Sequence, residues 1–318
     1  MNLWKLRLSM LGTLALIIGA STLGFTLLLA YTGSLNIYTL TAFTLIFNIG
    51  QWLLSPYLVN AVYKVRELEE PDNPMLYARV ERLSKRSGID VPKVMLSQLS
   101  IPNAFAYGSP ITGNHIALTK GLMEHLDPDE VEAVIGHELG HLKHRDSQIM
   151  MMVSFLPSLF YILARSLLYS RFYRGRDREG SSGLAIVGGI SMLFYLLLSV
   201  FNLGLSRLRE YYADQHSASI LGDGGLKLSS ALAKISTYTW RMQSSGASPL
   251  NSSFKALFIT DPDRAERDVS DLHAARYREE ELVENILGRE ITLLDRLTEL
   301  FSTHPNIVKR LRALRGSS

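Results

Sequence analysis

The sequence contains no cysteine among its 318 residues. This absence excludes disulfide bonds, iron–sulfur clusters and zinc sites built from thiolates. Any metal ion bound by the chain must therefore be held by histidine, aspartate or glutamate. The formal net charge is only +3. Because no basic stripe with interleaved aromatic residues is present, nucleic acid is not expected as a partner.

Charge is absent from a long N-terminal segment. The 56 residues from Leu8 to Tyr63 include no Asp, Glu, Lys, Arg or His. This run has room for two membrane spans of about 20 residues each, joined by a turn near Thr32–Ser34. A second apolar pair covers Ile149 to about Tyr169 and Leu184 to Ser206, with the charged loop 171–180 between them. Four spans are predicted, and a hairpin that only dips into the bilayer is the alternative for the second pair.

Basic residues that flank the predicted spans indicate the orientation in the bilayer. Eight of them would lie on the side of the two termini, against four in the loop 171–180. The eight are Lys5, Arg7, Lys64, Arg66, Lys143, Arg145, Arg207 and Arg209. The positive-inside rule then predicts a multi-pass protein of the cell membrane with both termini in the cytoplasm.

The segment Gly136–His141 contains the pattern His-Glu-x-x-His. On a helix, residues four apart lie on one face, so His137 and His141 can share one metal ion. Glu138 follows the first ligand and is placed to accept a proton from an attacking water. An acidic N-cap and a proline at the first helical position predict that this helix runs from about Pro128 to Asp146.

A catalytic zinc site needs a third protein ligand. His144 shares the face of His137, but seven residues of helix span about 10 Å, which is too far for one ion. The best candidate is Glu210. Asp214 follows one turn later on the same face, where it could orient a ligand histidine. The alternative is a solvated pair of carboxylates after a membrane helix.

Three strands and several helices are predicted around these motifs. The strands cover 94–99, 104–108 and 115–119, and the helices cover 73–87, 128–146, 205–221, 226–242 and 279–300. A small sheet followed by the His-Glu-x-x-His helix is typical of a zincin catalytic domain. An exposed edge strand in that sheet could align an extended peptide substrate.

The sequence resembles the membrane-embedded HtpX-type zinc metallopeptidases, which are related to the CAAX prenyl endopeptidases. The resemblance covers nearly the whole chain. It is carried by the motifs Pro102–Ala106, Gly136–His141, Glu210–Asp214 and Thr303–Pro305. The charged loop 171–180 departs from the family pattern, and this departure concerns only the crossing of the third and fourth spans.

The resemblance implies one zinc ion per chain, bound by His137, His141 and Glu210. By the same similarity, Glu138 would be the general base of peptide hydrolysis.

The other two motifs imply contacts with substrate. Asn103 and Ala104 would lie on the substrate-binding edge. His304 and Arg310 would approach the site and could help to stabilise the oxyanion of the tetrahedral intermediate.

The predicted fold is mainly α: a polytopic helical membrane protein of about four spans with a zincin-like α+β catalytic domain that contains a small β-sheet. Residues 1–63 would form an N-terminal transmembrane hairpin, and residues 148–205 a second transmembrane or membrane-dipping hairpin. The catalytic domain would be assembled from residues 64–147 and 206–318.

The predicted function is a membrane-bound zinc endopeptidase that hydrolyses misfolded or damaged membrane proteins at the cytoplasmic face of the lipid bilayer. Three rivals are an intramembrane protease, a prenyl-protein endopeptidase and a non-enzymatic membrane scaffold with structural zinc. Glu130, Glu132, Lys143 and Arg145 should make the zinc helix amphipathic, which opposes the first rival. The prenyl-protein endopeptidases have more spans and a larger enclosed chamber than this chain can build, which opposes the second rival. Glu138 opposes the third rival, because a structural site needs no base.

Overall fold

The computed structural model describes residues 56–146, 181–244 and 279–316, together with Ile259 and isolated positions within 46–54 and 149–167. Apart from those isolated positions and residues 56–63, the predicted first three spans and the loop 171–180 lie outside the described residues.

The described residues form helices and one β-sheet. In chain order the helices are α1 (Pro74–Ser87), α2 (Lys120–His125), α3 (Pro128–Lys143), α4 (Ser181–Ile220), α5 (Gly224–Ser244), α6 (Glu279–Gly288), α7 (Leu293–Leu300) and α8 (Ile307–Arg315). The strands are β1 (Val65–Glu67), β2 (Lys93–Ser97), β3 (Ala104–Ser109) and β4 (Gly113–Thr119). Residues 56–62 are also helical.

The chain divides into two compact units. One contains Leu53–Ser147 and Ser206–Ser318, and the other contains Gln148–Leu205. The predicted division into residues 1–63, 64–147, 148–205 and 206–318 remains a proposal about domains.

The four strands form a mixed sheet in the order β1-β2-β4-β3. β2 and β4 run parallel, whereas β1 pairs with β2 and β3 pairs with β4 in antiparallel fashion. The three predicted strands correspond to β2, β3 and β4. The strand β1 has no predicted counterpart, because three residues are too few for alternation of apolar and polar side chains to show.

The helix predicted over 279–300 is broken in the structure, so that prediction is wrong. α6 ends at Gly288 and α7 begins after Thr292. The Oγ1 of Thr292 accepts a hydrogen bond of 3.1 Å from the backbone N–H of Asp295, whose carboxylate accepts one of 3.0 Å from the N–H of Thr292. This capping box starts a new helix and satisfies two backbone donors at its N-terminus.

Helix α4 joins two predicted elements. The predicted fourth span, 184–206, and the predicted helix 205–221 lie on one continuous helix. An 18-residue window within Ala185–Ile220 has a mean hydropathy of 2.0, and only 22% of that window is buried. Within the part of the chain that the structure describes, α4 is the one helix long and apolar enough to cross a membrane.

Helix α3 is buried from Glu130 to Gly140, although an amphipathic helix is predicted there. Glu130 lies 2.9 Å from the Nζ of Lys234 on α5. Glu132 lies 3.0 Å from the Nη1 of Arg79 on α1 and also pairs with Arg82. These partners compensate the buried carboxylates, so the helix can be enclosed on this side as well.

Helix α3 approaches α4 closely at two glycines. A Cβ on Gly140 would lie 2.9 Å from the Cα of Ala213, and one on Gly136 would lie 3.0 Å from the Oγ of Ser217. That Oγ donates a hydrogen bond of 2.6 Å to the carbonyl of Ala133. The absence of side chains at the two glycines thus brings the His-Glu-x-x-His segment next to α4.

We expect Gly140→Ala to lower the free energy of unfolding by about 1–3 kcal/mol, the usual cost of overpacking a core. Metal affinity should fall as well, because α4 carries Glu210 and must shift away. Thermal melting and metal titration of the purified protein would measure both effects. Gly288→Ala is the matched control, since nothing lies within 4 Å of its added Cβ. Unchanged melting and affinity in Gly140→Ala would contradict the close contact.

Candidate metal centre

The helix that carries the pattern begins as predicted. Asp127 is the N-cap of α3, Pro128 occupies the first helical position, and Glu130 completes a capping box with Asp127. The apolar side chains Ile135 and Leu139 are fully buried. The cap sets where the helix begins, and the core fixes its rotation about its own axis.

Three potential ligand atoms meet between α3 and α4. The Nε2 atoms of His137 and His141 lie 3.1 Å apart. Glu210 places its Oε2 at 3.6 Å from the Nε2 of His137 and its Oε1 at 3.5 Å from the Nε2 of His141. The alternative of a solvated carboxylate pair at Glu210 and Asp214 is wrong, because both residues are buried.

These separations suit a tetrahedral metal ion. Ligand atoms about 2.1 Å from a tetrahedral zinc ion lie roughly 3.4 Å from one another, close to the observed 3.1, 3.5 and 3.6 Å. Two imidazoles and a carboxylate are also donors that zinc accepts. His144, which the spacing excludes as a ligand, turns its ring toward Tyr212 instead, with ring centroids 5.0 Å apart.

The negative formal charge of the centre also favours binding of a cation. Its ionisable groups other than the imidazoles are the carboxylates of Glu138, Asp146, Glu210 and Asp214 and the guanidinium groups of Arg209 and Arg310. Four negative and two positive charges leave a formal charge of −2, which a divalent cation would neutralise.

His137 is oriented by a chain of buried polar contacts. Its Nδ1 lies 2.9 Å from the Oδ1 of Asp214. Arg310 donates to both carboxylate oxygens of Asp214, at 2.9 and 2.6 Å, and its Nη1 lies 3.2 Å from Glu210. Burial lowers the pKa of Arg310, but the two carboxylates raise it above its usual range, so the guanidinium stays charged. The ionised Asp214 therefore favours the tautomer of His137 that carries its proton on Nδ1, which leaves the Nε2 lone pair for the ligand cluster.

His141 is oriented by a second, similar chain. Its Nδ1 lies 2.7 Å from the Oδ2 of Asp146, and the Oδ1 of Asp146 lies 2.9 Å from the Nε of Arg209. Burial opposes ionisation of Asp146, but its hydrogen bond to His141 and the charge of Arg209 lower its pKa. For His141, burial lowers the pKa, but Asp146, Glu210 and Glu138 together raise it to about 9. Without a metal ion, a proton on His141 would thus neutralise part of the negative charge of the surrounding carboxylates.

The chain reverses sharply to bring Asp146 back to His141. The sequence predicts that the helix reaches Asp146, but α3 ends at Lys143. Arg145 adopts a positive φ of 53°, the left-handed conformation that residues other than glycine rarely adopt. The strained turn lets Asp146 contact His141, five residues earlier. In a continuous helix these two residues would lie on different faces.

Asp146 and Arg209 are functional candidates that sequence reasoning missed. The spacing from His141 to Asp146 does not fit one helical face, so periodicity gives no signal for the pair. An indirect signal exists in Arg209, because it precedes the ligand candidate Glu210 on the same helix.

We expect Asp146→Asn to weaken metal affinity about 10- to 100-fold, as is usual when the carboxylate partner of a ligand histidine is changed. The amide keeps the size of the side chain but removes the negative charge that favours the tautomer of His141 protonated on Nδ1. A competition titration with a chromophoric chelator would measure the affinity. Asp129→Asn is the control, because the Asp129 side chain is 64% exposed on the same helix. Equal affinity in Asp146→Asn and wild type would rule out this role.

Glu138 lies beside the ligand cluster and is 3% exposed. Burial raises the pKa of its carboxyl, and the charge of Glu210 raises it further. The imidazoles of His141 and His137 and a hydrogen bond from the backbone of Ala106 on β3 act in the opposite direction. A carboxylate with a raised pKa is a better proton acceptor, which suits a general base.

The other predicted site residues occupy different positions around this cluster. The Nε2 of His304 lies 3.7 Å from the Oε1 of Glu210, and its Nδ1 lies 2.9 Å from the Oγ1 of Thr303. Asn103 is buried, and its Oδ1 accepts a hydrogen bond of 2.9 Å from the backbone N–H of Ile259. Ala104 is buried at the start of β3. The structure thus brings His304 to the ligands, whereas the Asn103 side chain holds another segment of the chain.

A buried helix with His-Glu-x-x-His, completed by a glutamate from a second helix, defines the class of zinc-dependent metallopeptidases. The family model described as Peptidase family M48 matches residues 70–318. The chain therefore belongs to peptidase family M48.

Relatives of similar length agree with this assignment. The Protease HtpX homolog of Aeropyrum pernix is 37% identical over 315 residues, which cover 96% of this chain and 94% of the relative. The Protease HtpX homolog of Thermoplasma acidophilum is 36% identical over 332 residues, which cover 99% of this chain and 98% of the relative.

A solved structure shares the fold. The crystal structure of S. mikatae Ste24p matches with a TM-score of 0.53 and 19% sequence identity. The match covers 98% of this chain and 66% of that one, so this chain spans slightly less than two thirds of the Ste24p chain.

Proposed function

We propose that the chain is a membrane-bound zinc endopeptidase that cleaves misfolded or damaged membrane proteins at the cytoplasmic membrane face. One observation carries the hydrolytic part. The two imidazoles and Glu210 converge as a ligand set, with the buried Glu138 beside them. His137, His141 and Glu210 would hold one zinc ion per chain, and Asp214 and Asp146 would orient the two histidines.

Glu138 performs the proton transfers of the proposed reaction. When bound, a zinc ion acts as a Lewis acid that polarises the scissile carbonyl and lowers the pKa of the attacking water. The Glu138 carboxylate accepts a proton from that water and later gives it to the leaving amine. Its buried surroundings raise its affinity for the proton during the interval between these steps.

His304 and Arg310 have different parts in the proposed mechanism. His304 lies at the edge of the ligand cluster and would donate to the oxyanion of the tetrahedral intermediate. Arg310 already donates to Asp214 and to the carbonyl of Ile259. It would therefore act on the oxyanion indirectly, by holding Asp214 and Glu210 in place.

The substrate would bind along β3. The backbone N–H of Ala106 points to Glu138, on the side of the strand away from its partner β4. Backbone groups two residues apart point the same way in a strand, so Ala104 presents its N–H along that edge too. An extended peptide added to this edge would pass beside Glu138. Asn103 would support this edge by holding Ile259 beside the start of β3.

The membrane location is supported by α4. Its exposed large apolar residues recur mainly at helical spacing: Ile186, Ile190, Leu193, Leu196 and Leu197. Such a face is typical of a helix in contact with lipid. Glu210 follows this apolar stretch on the same helix, which would keep the catalytic unit near the bilayer surface.

The absence of cysteine allows a direct test of the membrane face. A cysteine replacing Glu124, whose side chain is 52% exposed, can be labelled with a membrane-impermeant maleimide. We expect labelling in inverted vesicles and none in intact cells. Labelling in intact cells would place the catalytic unit outside and overturn the proposed orientation.

The substrate class requires a separate test. Proteoliposomes would contain the protein and a single-span reporter whose soluble domain is either folded or destabilised by a core mutation. We expect cleavage of the destabilised reporter only. Cleavage of a prenylated CAAX peptide, with both reporters left intact, would instead favour the prenyl-protein rival.

A further inference from the structure

The helix α7 exposes an unusual number of large apolar side chains. Together with Phe301, which follows it, this helix presents what we name the α7 apolar face: Leu293 (77% exposed), Leu294 (61%), Leu297 (58%), Leu300 (43%) and Phe301 (74%). On a helix these positions fall within about one third of the circumference, so they form one continuous stripe. Isolated exposed leucines are ordinary on soluble proteins, but a stripe of five marks an interaction surface.

The acidic residues of α7 point into the protein. Asp295 and Glu299 are 4% and 7% exposed. Asp295 caps the helix through Thr292, and Glu299 pairs with Lys309 and accepts a hydrogen bond of 3.2 Å from the N–H of Asn306. The helix is therefore held by its polar side, and the apolar side cannot turn inward without breaking these contacts.

The charge at the border of the α7 apolar face is positive. Arg296 is exposed, and its position on the helix lies next to Leu293 and Leu300. Because Asp295 and Glu299 are buried in ion pairs, the outward side of α7 carries a cation and no anion. An apolar stripe bordered by a basic residue is typical of helices that lie in the interface of an anionic membrane.

Arg207 fixes the end of α7 to helix α4. Its Nη1 donates to the carbonyl of Glu299 at 2.7 Å, that of Leu300 at 3.3 Å and that of Ser302 at 2.8 Å. Arg207 comes two residues after Leu205, on the same helix as the apolar stretch. Two residues advance an α-helix by about 3 Å. The C-terminal end of α7 is thus tied to α4 just where its apolar stretch ends, which is where a bilayer surface would lie.

We propose that the α7 apolar face inserts into the headgroup region of the lipid bilayer, with Arg296 at the level of the lipid phosphates. The helix would serve as an interfacial anchor of the catalytic unit, in addition to the spans. His304 follows Phe301 by three residues. The anchor would therefore hold the segment that carries His304 at a fixed distance from the membrane. The proposal rests on the proposed membrane-bound state, but it does not depend on the identity of the substrate.

Spin labelling tests the insertion without reference to cleavage. Single cysteines at Leu293 and Leu297 would be labelled in the otherwise cysteine-free protein, reconstituted in vesicles with one third anionic lipid. We expect collisions with oxygen to be favoured over those with a water-soluble nickel chelate. A label at Lys85, whose side chain is 72% exposed, is the control and should show the opposite preference.

Two results would overturn the insertion. Nickel accessibility at Leu293 and Leu297 equal to that at Lys85 would show a face in water. Protection from both reagents, with spin–spin broadening that increases with the protein-to-lipid ratio, would show that a second copy of the chain covers the face.

The double substitution of Leu293→Gln and Leu297→Gln tests the consequence for activity. Both positions are exposed, so the fold should be retained. We expect cleavage of a membrane-anchored substrate to fall about tenfold, because interfacial binding scales with the apolar area inserted. Cleavage of a soluble unfolded peptide should be unchanged. An equal loss with both substrates would contradict the anchor, whereas a wild-type protein that cleaves neither would contradict the proposed function instead.

Discussion

Glu138→Gln should reduce kcat/KM for peptide cleavage by about 10²- to 10⁴-fold, the usual contribution of a positioned acid–base group. The amide has nearly the shape of the carboxylate and can still accept the hydrogen bond from Ala106. It cannot accept a proton from the attacking water. Zinc content and thermal stability should remain close to those of the wild type, because His137, His141 and Glu210 are unchanged.

The comparison with Glu210→Gln separates loss of the base from loss of the metal. Glu210→Gln should lose both zinc and activity, whereas Glu138→Gln should lose activity alone. The two measurements are zinc per chain by elemental analysis and initial rates on a fluorogenic peptide. If Glu138→Gln kept a tenth or more of the wild-type activity with zinc fully bound, the proton would have to move by another route.

Arg310→Met should be the most destabilising single substitution near the site. The side chain of Arg310 is 1% exposed and neutralises Asp214 and Glu210, which are also buried. Removing one partner of a buried ion pair costs about 3–5 kcal/mol, because the other charge is left without compensation. A cost of that size lowers the melting temperature by roughly 10 °C in a domain of this size. Thermal denaturation in detergent, with and without zinc, would measure it.

Two controls distinguish uncompensated charge from loss of volume. Arg315→Met makes the same change on the same helix, but Arg315 and its partner Glu284 are 62% and 61% exposed. An exposed pair contributes about 1 kcal/mol or less. Adding Asp214→Asn to Arg310→Met should restore part of the stability by removing one of the stranded charges. If the double substitution were less stable than Arg310→Met, the charge explanation would be wrong.

Much of the metal centre follows from spacing. His137 and His141 are four apart, so any helix at that point puts both on one face. Glu210 and Asp214 are likewise four apart, and the structure places the first at the histidines and the second behind His137. Local rules of helical geometry therefore predict that each pair shares one helical face, whereas the contact between the two faces is set by the packing of α3 against α4.

The rest of the site depends on packing between segments, which leaves no periodic trace in the sequence. Asp146 reaches His141 only because Arg145 adopts a positive φ. Glu130 is charged, and charged residues usually lie at the surface. Its ion pair with Lys234, which is distant in sequence, allows it to be buried. These pairings are set by tertiary structure, and charge alone suggested solvent exposure.

The break between α6 and α7 shows a different limit. The amphipathic pattern continues across 279–300, so periodicity predicted one helix. The Thr292 capping box interrupts it and turns the apolar residues of α7 outward. The capping signal was present in the sequence as Thr followed three residues later by Asp, but it was weaker than the apolar repeat.

Zinc-dependent cleavage is the most direct test of the central claim. The detergent-purified protein would be stripped with a chelator and titrated with zinc while new N-termini in casein are identified by mass spectrometry. We predict no cleavage by the stripped protein and a return of activity that saturates at one zinc ion per chain. One tightly bound zinc ion per folded chain, with no cleavage of casein or of other unfolded substrates, would contradict the peptidase and favour a structural metal.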